Sequence, residues 1–232
     1  MAVTADWANA TASTFTWQNT ATATKPSGLS TGDTLLFFSV WYDDGTGAGT
    51  VSTSWTPTDT FTVVRETTVE RISAYGWTRI VDGSEGATFG VTPSASGQYC
   101  GLICVPIKGA STTAPLDTTN STQGRNSAQS IAGLTTATAN ELLVGVKWGY
   151  NHAVSVDPAN WTSRGTYDTV NNIYDRSVAS AGVVSSEALT AAGFDAYASM
   201  VAAFKEDASS TSYPVKLLSN YTCFTINYRG RI

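Results

Sequence analysis

Few residues in this chain are equipped for chemistry. It carries one histidine, His152, and three cysteines, Cys100, Cys104 and Cys223. A Ser-His-Asp or Cys-His triad would have to run through His152, and no Gly-x-Ser-x-Gly elbow accompanies it. A metal site needs several His, Cys or carboxylate ligands at set spacing, and the sequence holds no CxxC, HxH or HExxH. Asp43 and Asp44 with Gly45 supply carboxylates, but the spaced oxygen ligands of a calcium loop are missing, so a plain turn is expected there. No Gly-x-Gly-x-x-Gly or phosphate-binding loop is present. The expectation is a chain that is not an enzyme and uses no cofactor and no metal.

The cysteines point the same way. Cys100 and Cys104 lie four apart in a strand-like run, which puts both on one face roughly 13 Å apart. They cannot bond to each other without breaking the strand. Pairing either with Cys223 leaves one over, so three buried thiols made in a reducing cytosol are expected.

Two stretches are candidates for binding. Residues 71–80 alternate, with Ile72, Ala74 and Ile80 on one face and Arg71, Tyr75, Trp77 and Arg79 on the other. Aromatics flanked by arginines on a sheet face can stack on sugars or anchor a protein partner. The same four residues also fit a second core layer whose arginines reach solvent at the strand ends. The other candidate is the C-terminus. After a linker-like stretch at 207–212, residues 213–232 are aromatic and alternating, with Thr222, Phe224, Ile226 and Tyr228 on one face. Tyr213, Leu217, Phe224, Ile226, Tyr228, Arg229 and Arg231 are read as a partner-docking arm that adds a strand to a neighbour's sheet. The other reading folds it back as the last strand of its own sandwich.

The elements that would position these residues are strands. Thr34 to Tyr42 reads TLLFFSVWY, nine residues without charge, between Gly32-Asp33 and Asp43-Asp44-Gly45. An apolar run of this length between turn signals is a strand buried on both faces. Residues 140–148, NELLVGVKW, echo it: Leu142-Leu143 answer Leu35-Leu36 at an offset of 107. Gly28-Leu29-Ser30 and Gly133-Leu134-Thr135 match at 105, and both Trp55-Thr56 with Trp161-Thr162 and Gly76 with Gly182 match at 106. Tyr99 then maps to Tyr197 at 98, and Lys108 to Lys205 at 97. The pattern predicts two related halves, about 13–109 and 115–206, the second having lost a loop.

Further strands are expected at 13–24, with Phe15 and Trp17 on one face, at 61–65, 89–91, 99–107, 173–184 and 197–204. Residues 110–130 read as a linker or a polar edge strand. The Ala-rich residues 188–203 also admit a helix, but the repeat favours strand. The fold class is all-β, an antiparallel β-sandwich of jelly-roll-like type over residues 1–206, with 207–232 as linker and docking arm.

Composition agrees. Of 232 residues, 13% are charged, about half the usual share. Thr, Ser, Ala and Gly fill the difference, and Thr suits a pleated, half-exposed surface. The net charge of −5 with scattered Lys and Arg argues against a nucleic-acid partner. No stretch has the roughly 18 continuous apolar residues of a membrane span, and the N-terminus lacks the charged and apolar regions of a secretory signal. The sequons at Asn9, Asn120, Asn160 and Asn220 read as chance products of a Thr-rich chain.

The run Gly28-Leu29-x-x-Gly32-Asp33-x-Leu35-Leu36 resembles the opening of β-sandwich virion proteins of tailed phages and prophages. Asp157-Pro158-Ala159-Asn160-Trp161-Thr162 is similar to that family's Pro-x-x-Trp-Thr turn, and Tyr197 to Phe204 to its closing strand. The likeness covers residues 13–206; Ser27 and the C-terminal arm depart from it. It implies a structural virion protein, a head-decoration or accessory subunit in contact with other capsid or tail proteins. It also implies a virion location after synthesis in the bacterial host cytoplasm, and a possible homo-oligomer. The alternative is a carbohydrate- or receptor-binding module of a tail or fibre, taking a host-surface glycan. No catalytic residues carry over.

Overall fold

The computed structural model describes residues 2–42, 51–61, 64–65, 72–94, 98–150, 152–166 and 171–206. The chain opens with β1 (Thr4–Ala5), a 3-10 turn at Trp7–Asn9, β2 (Thr11–Ala12), β3 (Thr16–Gln18), β4 (Ala21–Thr24) and β5 (Thr34–Tyr42). It continues through β6 (Val51–Thr53), β7 (Asp59–Thr60), β8 (Val64–Arg65), β9 (Ile72–Ile80), β10 (Thr88–Pro93) and β11 (Gln98–Lys108). The second half holds β12 (Leu116–Ile131), β13 (Leu134–Thr136), β14 (Glu141–Gly149), β15 (Val154–Val156), β16 (Thr162–Thr166), β17 (Asn172–Val178), β18 (Gly182–Val184) and β19 (Glu187–Phe204). The fold is an antiparallel β-sandwich.

Two large sheets face each other. The first runs β11-β5-β9-β7, with β1, β2 and β3 strung along the far edge of β11; the second runs β12-β19-β14-β17-β16. Between them lies an apolar layer to which β5 gives Leu36, Phe38, Val40 and Tyr42, and β14 gives Leu142, Val144, Val146 and Trp148. Phe38 meets Trp148 edge to face at 5.9 Å. The outer face of the first sheet is covered by the small sheet β4-β10-β6, where Leu35, Phe37, Trp77 and Leu102 pack with Ala23, Phe89 and Val91. The outer face of the second packs Leu143, Val201 and Tyr174 against Ile131, Leu134, Val184 and Leu189. Every residue of β5 and of β14 is therefore buried. A strand covered on both faces needs apolar side chains in both phases, and for that reason these runs show no alternation.

The halves share one order of strands. The succession β3-β11-β5-β9-β7 recurs as β12-β19-β14-β17-β16, and β6 beside β10 recurs as β15 beside the start of β19. Where the first half splits into β3 with β4 and β10 with β11, the second runs unbroken for 16 residues in β12 and 18 in β19.

Several details differ from the sequence reading. The offset of 107 matches the right strands one residue out of phase: Leu35 faces outward and Leu142 inward. An odd displacement exchanges the faces of a strand. An offset of 106, that of Trp55 and Trp161, sets Phe38 against Val144 and Val40 against Val146, all on the inner face. Gly76 and Gly182 are not counterparts. The Phe61 ring occupies the space a side chain at Gly76 would fill, whereas Gly182 opens β18 with φ +136°. The first half begins at Thr4, since β1 and β2 pair with β11. Residues 13–24 form two strands in different sheets, with Phe15 buried and Trp17 exposed. Residues 188–203 are strand, and 173–184 divide into β17 and β18. Residues 62–63 lie outside the described residues.

Leu36 and Leu143 are fully buried, one in the inner layer and one in the outer. Either one changed to Ala is expected to cost about 2–5 kcal/mol. Urea unfolding measures this, and an unchanged midpoint for both would refute the layer assignment.

Candidate functional site

The face proposed for binding is core. Tyr75 and Trp77 are buried, their rings stacked at 5.8 Å with 5° between planes, and Trp55 meets Trp77 edge to face at 6.0 Å. The small outer sheet and Trp55 cover this face, so the alternation of residues 71–80 separates two buried layers. Arg79 is a structural tie: its guanidinium donates to Glu85 Oε1 at 3.2 Å, to Asp82 at 3.2 Å and to the Thr56 carbonyl at 3.1 Å. Ser84 donates through its hydroxyl and its N–H to Asp82, and with Arg79 it lowers that carboxyl to about 2. Arg71 lies outside the described residues. So do Asp43, Asp44, Cys223 and the arm residues Tyr213, Leu217, Phe224, Ile226, Tyr228, Arg229 and Arg231.

His152 packs against Gly193, and its carbonyl accepts from the Lys147 ammonium at 3.2 Å. Among the described residues no group of three or more His, Cys, Asp or Glu side chains could hold a metal ion. Cys100 and Cys104 are free and buried. Burial pushes the Cys100 thiol up to about 12, against a smaller opposing effect from Gln18, and pushes Cys104 well above the usual thiol range.

The structure instead gathers exposed aromatics at one end of the sandwich. Trp17 stands directly across from Tyr99, and Tyr99 directly across from Tyr42, on β3, β11 and β5. Ring centroids are 6.5 Å apart for Trp17 and Tyr99, 5.4 Å for Tyr99 and Tyr42, and 5.6 Å for Tyr42 and Tyr150. The inner members anchor the row: Tyr42 is buried, and its hydroxyl donates to the Gly149 carbonyl of the other half. The outer members are open, Trp17 at 60% exposure and Tyr150 at 42%. Phe194, 62% exposed, lies at the same end, three residues before Tyr197, which pairs with Gly149. It lies under the Arg125 guanidinium at 5.4 Å. Sequence reading missed the row because its members meet only through strand pairing across 82 and 57 residues (Tyr99 against Trp17 and against Tyr42).

A second feature lies away from that end. An open groove of about 440 Å³ is lined by Thr118, Thr119 and Asn120 of β12, by residues 133–135, and by residues 183–186. Beside it, the buried Glu141 carboxyl accepts from the Thr138 amide at 3.0 Å and hydroxyl at 2.5 Å. Burial, reinforced by the Asp117 carboxylate, raises its pKa.

No family model matches the chain, and no curated protein and no solved structure matches it. Among the described residues no helix is long and apolar enough to cross a membrane.

Two outcomes follow. A group whose pKa folding raises takes up a proton on folding, so its stabilisation is present in acid and lost as pH rises through the folded value. Glu141→Gln is therefore expected to gain stability over the parent as the pH rises from 4.5 toward neutral, measured as the difference in Tm; a difference constant with pH would contradict this. Thiol reagents at pH 8 are expected to leave Cys100 and Cys104 unmodified until the protein unfolds, which peptide mass mapping reads directly.

Proposed function

We propose that the chain is a non-enzymatic structural protein of a phage virion, a head-decoration or accessory subunit that docks on other virion proteins through its aromatic end. The observation that carries the docking surface is the confinement of the exposed large aromatics of the described residues, Trp17, Tyr150 and Phe194, to one end of the sandwich. Tyr and Trp anchors are concentrated in protein interfaces, and a cluster of exposed apolar rings marks a contact surface. The anchoring of Tyr42 and Tyr99 beneath the exposed rings supports a preformed surface, which lowers the ordering cost of association. The virion assignment rests on the resemblance of the Gly28–Leu36 and Asp157–Thr162 runs to phage β-sandwich proteins.

The same row favours one other reading, a glycan-binding module of a tail or fibre, since aromatic faces also stack on sugar rings. Trp17→Ala and Phe194→Ala remove exposed rings, so Tm is expected to hold. Binding to purified virions lacking this protein is expected to fall by about 30-fold or more for a residue in the anchoring cluster. Retained virion binding by both variants refutes the docking surface. Loss of glycan-array binding in their place moves the assignment to the tail or fibre module.

A further inference from the structure

The most exposed large apolar side chain among the described residues is Val183, at 79%, and it lines the groove beside Thr118, Thr119 and Asn120. These residues belong to β12, an edge strand that pairs with β19 on one side and with no described strand along the other. An unpaired edge presents a row of N–H and C=O groups that accept an added strand.

The chain leads to this place. Glu206, the last described residue, bridges to Ala110, and Lys205 donates its N–H to the Pro115 carbonyl at 3.1 Å. Leu116 pairs with Phe204, and Thr118, Thr119 and Asn120 with Ala203, Ala202 and Val201, so Glu206 lies three to five residues along the chain from the positions opposite the groove. Residues 207–212 can span up to about 20 Å when extended, more than that distance needs. Residues 213–232 follow, with Thr222, Phe224, Ile226 and Tyr228 in alternation and three positive charges at Lys216, Arg229 and Arg231. With those three removed from the net −5, residues 1–212 carry −8, so the segment and the body attract.

We propose that the groove and the open edge of β12 take the segment 213–228 of the same chain as an added strand, its apolar side chains covering Val183. A short tether makes the intramolecular site far more concentrated than any second copy. The inference stands apart from what the aromatic end binds.

The native Cys223 lies within the segment and supplies the test, because Cys100 and Cys104 are buried and inert. In the full chain, Thr119→Cys, Ser121→Cys and Gln123→Cys, which lie on the face of β12 away from Val183 that strand alternation also gives Cys223, are oxidised separately, with the exposed Val156→Cys as the reference. A disulfide forms only where Cβ atoms come within about 4.5 Å. The expected result is a monomeric disulfide to Cys223 at one or more of these β12 positions, several-fold above the reference and independent of protein concentration. A yield no higher than the reference at all three positions overturns the proposal. Bonds only between chains, rising with concentration, overturn it in favour of a second copy as the occupant. As a further readout, Phe224→Asp with Ile226→Asp in the full chain is expected to speed amide exchange in residues 117–123 by about tenfold or more, through loss of the covering strand. Unchanged exchange there counts against the added strand.

Discussion

The structure depends on one contact, the burial of the two large sheets against each other. Neither half completes its core alone. The inner faces of β5 and β14 carry Leu36, Phe38, Val40, Val144, Val146 and Trp148, and separating the halves would expose all of them to water. At roughly 1.5–3 kcal/mol for each large apolar side chain, that exposure exceeds what a small domain can spare. The layer also explains the small residues facing it from β19: Ala196, Ala198 and Ala202 let the sheets approach around the rings of Phe38 and Trp148.

Polar ties run along the rim of this layer. Trp7 of the 3-10 turn donates its indole N–H at 2.7 Å to Asp175 of the second half, and Arg164 donates to the same carboxylate at 2.9 Å. Asp175 is buried, and these two donors satisfy its two carboxylate oxygens. At the opposite rim the Tyr42 hydroxyl reaches Gly149. This tie fixes the buried end of the aromatic row, so the open rings of Trp17 and Tyr150 sit on a foundation built from both halves.

Much of the fold was legible in the sequence, and the physical reason is the double burial. A run such as TLLFFSVWY has no polar phase, as a strand between two layers demands. Residues 110–130 were legible only as a linker or a polar edge strand; residues 116–131 are the strand, where Ser, Thr, Asn and Gln tolerate a half-exposed pleat. The fine register was not legible. Leu-Leu pairs look the same in either phase, and only the facing layer distinguishes Leu35 from Leu36. The candidate face failed for a related reason: Arg71, Tyr75, Trp77 and Arg79 have the composition of a binding surface, and nothing local announces the sheet that covers Tyr75 and Trp77. The row of Trp17, Tyr99, Tyr42 and Tyr150 had no local signal either, since strand pairing alone assembles it.

The central claim is that one shared apolar layer makes the two halves a single cooperative unit. Differential scanning calorimetry of the parent and of Phe38→Ala tests it most directly. Phe38 belongs to the first half by sequence and to both by packing. The account predicts one transition in each protein, with calorimetric and van't Hoff enthalpies equal and the whole transition displaced downward by the substitution. Two transitions, with only one of them moved by Phe38→Ala, would contradict it and make the halves independent domains.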